Sequence, residues 1–107
     1  MQAHETVHAE PRRILGHPTY RVNFWERPGP NTGWQLDAFA LTEVNGVAEA
    51  MAWADAHSRG RRFELFVEIE DEAVHDFHTP RRADLIRLAG TDPNDSVSVD
   101  VVIEKID

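Results

Sequence analysis

Residues 63–70 read Phe-Glu-Leu-Phe-Val-Glu-Ile-Glu, and this stretch decides the predicted fold. It divides into two alternating sets, Phe63, Leu65, Val67 and Ile69 in one and Glu64, Phe66, Glu68 and Glu70 in the other. A period of two is that of a β-strand, whose successive side chains point to opposite faces. The segment therefore predicts a strand that turns its aliphatic residues toward a core and its glutamates toward solvent.

Three further segments alternate in the same way and predict three more strands. Residues 97–103 carry Val or Ile at every second position, and residues 20–27 and 34–41 show the pattern less regularly. Between the last two lies Pro-Gly-Pro-Asn-Thr-Gly, residues 28–33, which is dense in turn-forming residue types. Residues 20–27 and 34–41 are therefore predicted to form a hairpin with a long loop.

The spacing changes to that of a helix over residues 45–58. Apolar residues recur at positions i, i+3, i+4 and i+7, namely Val47, Ala50, Met51 and Ala54. Asn45 precedes them, and its side chain is suited to accept a hydrogen bond from a backbone N–H of the first turn. Ser58-Arg59-Gly60 ends the pattern. One helix is therefore predicted between the second and third strands.

Residues 80–89 fit two structures. Thr79-Pro80 is typical of a helix start and Gly90 of a helix end, which favours a short helix. Residues 85–89 fit a strand of five residues equally well, so an extra strand stays open as the alternative.

Taken together, these elements predict an α+β fold. One helix would cover one face of a mainly antiparallel sheet of about four strands. Residues 1–19 contain little apolar surface that could offset the entropy lost on ordering them. We therefore expect a flexible N-terminal arm over residues 1–19 and a single domain over residues 20–107.

Composition narrows the classes of partner and of chemistry. The 107 residues include 11 basic and 19 acidic side chains, which give a formal net charge of −8, and no cysteine. A nucleic-acid partner is not expected, since affinity for phosphate backbones comes mainly from Lys and Arg. Residues 1–10 lack a signal-peptide core, and uninterrupted apolar runs such as residues 38–41 are far shorter than the ~20 residues of a membrane span. We expect a cytoplasmic protein with no membrane partner.

Five short stretches resemble a group of small uncharacterised actinobacterial proteins. They are Trp25-Glu26-Arg27-Pro28, residues 34–39, Val47-Ala48-Glu49-Ala50, Trp53-Ala54 and residues 60–65. The resemblance covers roughly residues 20–92. It implies a compact single domain, and because no activity is attached to the group, it assigns no functional residue.

The sequence contains no recognisable catalytic constellation. Its serines lack the Gly-x-Ser-x-Gly setting of a nucleophile elbow, and no glycine-rich phosphate loop follows a predicted strand. Glu68 and Glu70 share one strand face, but nothing in the sequence encloses them to shift a proton affinity. We therefore predict no catalytic residue and no cofactor, and we favour a protein that is not an enzyme without excluding one.

Two histidines three residues apart, His75 and His78, form the one local cluster with metal-ligand or acid–base character. In a loop this spacing fixes no coordination geometry, so no metal site is predicted. The cluster instead defines one functional hypothesis, a small-molecule-binding domain or minor enzyme with a pocket near residues 71–82. There His75 and His78 would transfer protons, and Arg81 or Arg82 would hold an anionic group.

The leading hypothesis is a small acidic interaction or accessory module that binds a protein partner or associates with itself as a homodimer. Residues 63–79 hold six acidic side chains and no Lys or Arg. The outer faces of the strands add aromatic rings, which dominate interface energies. The predicted partner-binding residues are Trp25, Trp34, Phe66, Glu64 and Glu68, with Phe39 replacing Trp34 in the other register. An immunity or antitoxin-like protein that neutralises a basic toxin is a third hypothesis, and only the charge favours it.

Overall fold

The computed structural model describes residues 1–70, 74 and 76–94, and these confirm the α+β class. The elements in chain order are β1 Tyr20–Glu26, β2 Gln35–Leu41, α1 Val47–His57, β3 Arg62–Glu68 and β4 Leu85–Gly90. The four described strands form one antiparallel sheet in the order β2-β1-β3-β4, so β1 and β3 are central, and β2 and β4 are the edge strands among the described residues. The strand predicted over residues 97–103 lies outside the described residues.

The core lies between the sheet and α1. Its buried residues are Tyr20, Val22, Phe24, Val44, Ala50, Ala54 and Leu65. Phe24 is the aromatic centre, with ring centroids of Phe39, Trp53 and Phe63 at 5.7, 5.9 and 6.1 Å. Burying a side chain such as Phe24 or Leu65 stabilises the fold by about 1.5–3 kcal/mol. The predicted inner faces of β1 and β3 are therefore confirmed.

Helix α1 begins later than predicted, and its cap differs. Gly46 is the N-cap residue, and no side-chain cap hydrogen bond forms. Asn45 lies one residue outside the position from which its side chain would reach the first-turn amides, so the Asn45 cap was wrong. The backbone N–H of Asn45 instead donates to Glu49 Oε1 at 2.7 Å. Glu49 thus ties the preceding chain to the helix and places a carboxylate at the positive end of the helix dipole.

The segment predicted over residues 80–89 as a short helix or a strand contains the strand β4, so the preference for a helix was wrong. β4 pairs with β3, with a shift of register between Leu65 and Phe66. Gly90 is not a helix stop. Its φ is +87°, and a Cβ there would lie 2.0 Å from the carbonyl oxygen of Phe63. Close approach of β4 to β3 therefore requires glycine at this position.

The face of the sheet that does not carry α1 is here called the open face. From β1 it presents Arg21, Asn23 and Trp25, and pairing places Phe66 and Glu64 of β3 opposite the first two of these. From β2 it presents Leu36, Ala38 and Ala40. Among the described residues, no helix has the length and apolarity to cross a membrane.

Candidate functional site

Two glutamates of the open face are buried, contrary to the prediction that they face solvent. Glu64 and Glu68 are each only 2% exposed. The alternation of β3 was assigned to the correct two faces, but the second face is covered as well. Burying an unpaired carboxylate costs several kcal/mol, so each must be paired to be stable there.

Glu64 is paired with groups from β1 and β4. Its Oε1 accepts hydrogen bonds from Trp25 Nε1 at 2.8 Å and from Asn23 Nδ2 at 3.3 Å. Its Oε2 accepts from Arg87 Nη2 at 2.7 Å and Nε at 3.2 Å. The carboxylate therefore binds one guanidinium and two neutral donors at once.

Glu68 is paired mainly with Arg81, which follows β3 by thirteen residues. Arg81 donates from Nε to Oε2 at 2.7 Å and from Nη2 to Oε1 at 2.9 Å, a two-pronged pair. Arg21 Nη1 lies 3.5 Å from the same Oε2. The Arg81 side chain is 11% exposed, so this pair is shielded from water.

These contacts make a closed polar layer rather than an acidic docking face. Three guanidinium groups meet two carboxylates, and every buried side-chain nitrogen or oxygen of the described residues has a partner. Two of the six acidic residues counted over 63–79 are therefore neutralised inside the molecule. The layer holds β1, β3 and β4 together, and its carboxylates are not available to a partner.

The aromatic residues predicted to bind a partner also make intramolecular contacts. Trp25 is held by Glu64 through its indole N–H. The Arg87 guanidinium lies 5.7 Å from the ring centre of Phe66. Trp34, which directly precedes β2, has Arg27 and Arg62 each 5.6 Å from its ring centre, a cation–π arrangement. The structure brings Trp25, Phe66 and the two glutamates together on the open face.

Of the predicted ligand-binding residues within the described ranges, Arg81 lines the cleft described below, whereas the lining of that cleft includes neither His78 nor Arg82. His75 lies outside the described residues, and His78 is exposed, with its backbone N–H donating to Asp76 Oδ1 at 3.0 Å. Arg81 points to Glu68, whereas Arg82 is exposed. In the part of the chain that the structure describes, no three His, Asp or Glu residues are grouped to hold a metal ion.

A cleft of about 600 Å³ nevertheless opens between the sheet and the chain that follows β3. One wall consists of residues 36–40 of β2, and the other of Val74, Asp76, Phe77 and residues 79–81. Arg21 lies between them. On the open face β2 presents only the methyl groups of Ala38 and Ala40 beside Leu36, and small side chains leave the space unfilled. Cavities of about 300–1,000 Å³ are typical of ligand-binding sites.

The edge strand β2 forms that wall. The other edge strand of the described sheet, β4, likewise has no buried residue, but its ladder with β3 is interrupted by a register shift. None of the seven residues of β2 is buried, and Leu36 and Phe39 are 47% and 42% exposed. Phe39 lies on the α1 side, where it packs against Phe24 and Trp53. The strand pairs with β1 over all seven residues without a bulge.

The sequence pointed to residues 34–41 only through the ring of Trp34 or Phe39, and the exposed backbone edge of β2 was missed although a signal was present. Residues 38–41 form an uninterrupted apolar run, which is far too short for a membrane span but covers more than half of an edge strand. In the structure the run lies on a sheet edge. Edge strands are commonly protected by Lys, Pro or bulges. β2 has none of these, and its one charged residue, Asp37, binds Arg61 Nη1 at 2.9 Å.

Comparison of the chain with models of protein families, with curated proteins and with solved structures finds no match.

Proposed function

We propose that this chain is a protein-interaction module that binds an extended polypeptide segment by strand addition to β2. The observation that carries the proposal is the regular, exposed and unprotected edge of β2. In an antiparallel sheet, backbone N–H and C=O groups of an edge strand point alternately inward and outward. The outward groups of β2 can therefore bind a further strand, a common mode of peptide recognition.

The cleft beside β2 supplies selectivity for side chains. A strand added to β2 projects every second side chain over the open face, next to Leu36, Ala38 and Ala40. Val74 and Phe77 stand on the opposite wall, 64% and 92% exposed. Apolar side chains at alternate positions would remove these groups from water. The preferred segment is therefore extended, with apolar residues at every second position.

Charge adds a second criterion for the partner. The chain carries a formal net charge of −8, which repels acidic segments at long range. Close to β2, however, Asp37 is paired with Arg61, and the carboxylate of Glu68 is paired with Arg81. The affinity of a segment for β2 then comes from backbone hydrogen bonds and from burial of apolar side chains. A segment without net charge is therefore expected to bind.

Strand addition is tested with peptides selected for binding to the unmodified chain. Nonapeptides from a displayed random library are enriched on the protein, and one binder is resynthesised in two forms with N-methyl groups on alternate amides. One form loses the hydrogen bonds to β2 and should bind at least about tenfold more weakly, while the other form keeps them. Backbone NMR shifts of the protein should change in β2.

Two results would contradict strand addition. If the two N-methylated forms lose affinity equally, the peptide does not form hydrogen bonds to β2 through every second amide. Shifts confined to residues outside β2 and the cleft would place the binding site elsewhere.

A second candidate function, binding of a small apolar acid in the cleft, is favoured by the position of Arg21. Glu68 already forms a two-pronged pair with Arg81, and Arg21 lies 3.5 Å from it, beyond ordinary hydrogen-bond length. Arg21 lines the cleft and its side chain is 17% exposed. Its guanidinium can therefore receive a carboxylate while the ligand's apolar part contacts Ala38 and Ala40.

The pair 4-phenylbutyrate and 4-phenylbutanamide tests this candidate, because the two compounds differ in charge and little in shape. NMR titration should show the acid binding about tenfold more tightly, with the difference lost in Arg21→Gln. Arg62→Gln removes an exposed arginine outside the cleft and serves as the matched control. Equal affinity for acid and amide, or an unchanged preference in Arg21→Gln, would rule out this role for Arg21.

A further inference from the structure

We infer that the segment added to β2 is β2 of a second copy of this chain, paired antiparallel about a twofold axis at Ala38. This inference rests on the proposed function, because it names the partner of the same edge. The four described strands of each copy would join into one continuous sheet, with both described helices on the same face. The observations that carry it are the register, the side-chain sizes and the charges along β2.

An axis at Ala38 allows the full strand to pair. Gln35 faces Leu41 of the second copy, Leu36 faces Ala40, and Asp37 faces Phe39. Paired residues then share a face of the sheet, as an antiparallel ladder requires. All seven residues of β2 take part, and the strand has no bulge that would interrupt the ladder. An axis at any other residue leaves part of the strand unpaired.

Side-chain size is complementary in this register. On the open face, the large Leu36 lies opposite the small Ala40 on each side of the axis, and Ala38 meets Ala38 at the centre. This register therefore sets no two large side chains opposite each other on the open face. Ala38 and Leu36 also line the cleft, so the two clefts adjoin across the axis. The exposed surface of Leu36 becomes an internal cross-strand contact.

The charges of β2 allow the pairing despite a formal net charge of −8 on each copy. Asp37 is the one charged residue of the strand, and it faces Phe39 of the second copy while it keeps its own Arg61. An axis at residue 37 would instead set two aspartates opposite each other, which is destabilising. The register of maximal overlap is thus also a register without opposed charges.

A charge-swap experiment tests the axis. Sedimentation equilibrium of the wild-type chain at about 1 mM, where association is favoured, should give twice the 12.2 kDa mass of one chain. In Ala38→Lys, or in Ala38→Glu, like charges meet at the axis, and the dissociation constant should rise at least about tenfold. An equimolar mixture of the two variants should dimerise again, because Lys then faces Glu. Ala52→Lys and Ala52→Glu, on the exposed surface of α1, are matched controls that should leave the dimer unchanged.

Single cysteines give an independent measure of the register, because the chain has no cysteine of its own. In a series from Leu36→Cys to Ala40→Cys, oxidation should link two copies most efficiently at position 38, where identical residues face each other. A maximum at position 39 would overturn the proposed axis. Thermal unfolding of each variant verifies that it is folded.

The inference and the proposed function fail in different ways. A wild-type chain that stays monomeric at millimolar concentration, or a charge-swap mixture that stays monomeric, would overturn the second copy as partner. Selected peptides that still bind β2 with alternating sensitivity to N-methylation would leave strand addition in place. If the chain neither self-associates nor binds selected peptides at β2, the proposed function is overturned as well.

Discussion

β2 and β3 both have seven residues and a similar alternation of side chains, yet they differ in how far these side chains are buried. β3 contains Glu64 and Glu68, and both are buried. β2 contains the whole apolar run of residues 38–41, and none of its residues is buried. β3 has strands on both sides, α1 over one face and arginines over the other, whereas β2 has one neighbour. Place in the sheet, rather than composition, decides which strand is covered.

The difference in burial between β2 and β3 has a functional consequence. The acidic, aromatic strand that suggested a docking surface is occupied by partners from its own chain, namely Arg81, Arg87 and Trp25. Under the proposed function, the strand that accepts a partner is the apolar edge strand β2. Interaction through this chain is therefore expected to depend on backbone pairing at β2 and only weakly on the carboxylates of β3.

The largest expected difference between the strands concerns their charges. Glu68→Ala removes the carboxylate from the shielded Arg81 and Arg21, and the free energy of unfolding should fall by about 3–5 kcal/mol. Asp37→Ala breaks a pair whose carboxylate is 61% exposed. The free energy of unfolding should therefore fall by only about 0–1 kcal/mol. Urea unfolding followed by tryptophan fluorescence measures both. Equal losses would mean that the Glu68 layer is not shielded.

A matched apolar pair sharpens the same comparison. Leu65→Ala in β3 leaves a cavity beside Phe24 and should lower the free energy of unfolding by about 2–5 kcal/mol. Leu36→Ala in β2 removes a half-exposed side chain and should lower it by less than about 1 kcal/mol in dilute, monomeric protein. A large loss for Leu36→Ala under these conditions would show that the edge is covered within the single chain.

The smallest expected effect concerns salt. Two copies that each carry a formal net charge of −8 repel one another, and added salt screens this repulsion. Raising NaCl from about 0.05 to about 0.5 M should therefore strengthen self-association severalfold. Sedimentation at both salt concentrations measures the change. Weakening with salt would indicate attraction between opposite charges, as expected for a basic partner.

Much of the fold could be predicted from local patterns. Period-two alternation correctly placed Tyr20, Val22 and Phe24 on one face of β1, and helical spacing placed Ala50 and Ala54 against the core. These features depend on residues close together in the chain. The faces of β3 were also correct, since Leu65 lies in the core and Glu64 lies opposite it.

The wrong predictions concern features that depend on residues far apart in the chain. The burial of Glu68 depends on Arg21 and Arg81, which are 47 and 13 residues away in the chain. β4 is short enough to fit either a helix or a strand, and its pairing with β3 selects the strand. The exposure of β2 depends on the order of strands, which no local pattern encodes. The exposed edge of β2 and the adjoining cleft therefore follow from the three-dimensional structure and not from the sequence pattern.

Amide hydrogen exchange of the unmodified protein, followed by NMR, is the most direct test that β2 is the binding edge. We predict that at about 10 µM every second amide of β2, the set pointing away from β1, exchanges quickly, while the amides of β3 are protected. At about 1 mM, where association is favoured, the outward amides of β2 should become protected and those of β3 should not change. Exchange in β2 that is the same at both concentrations would contradict the account.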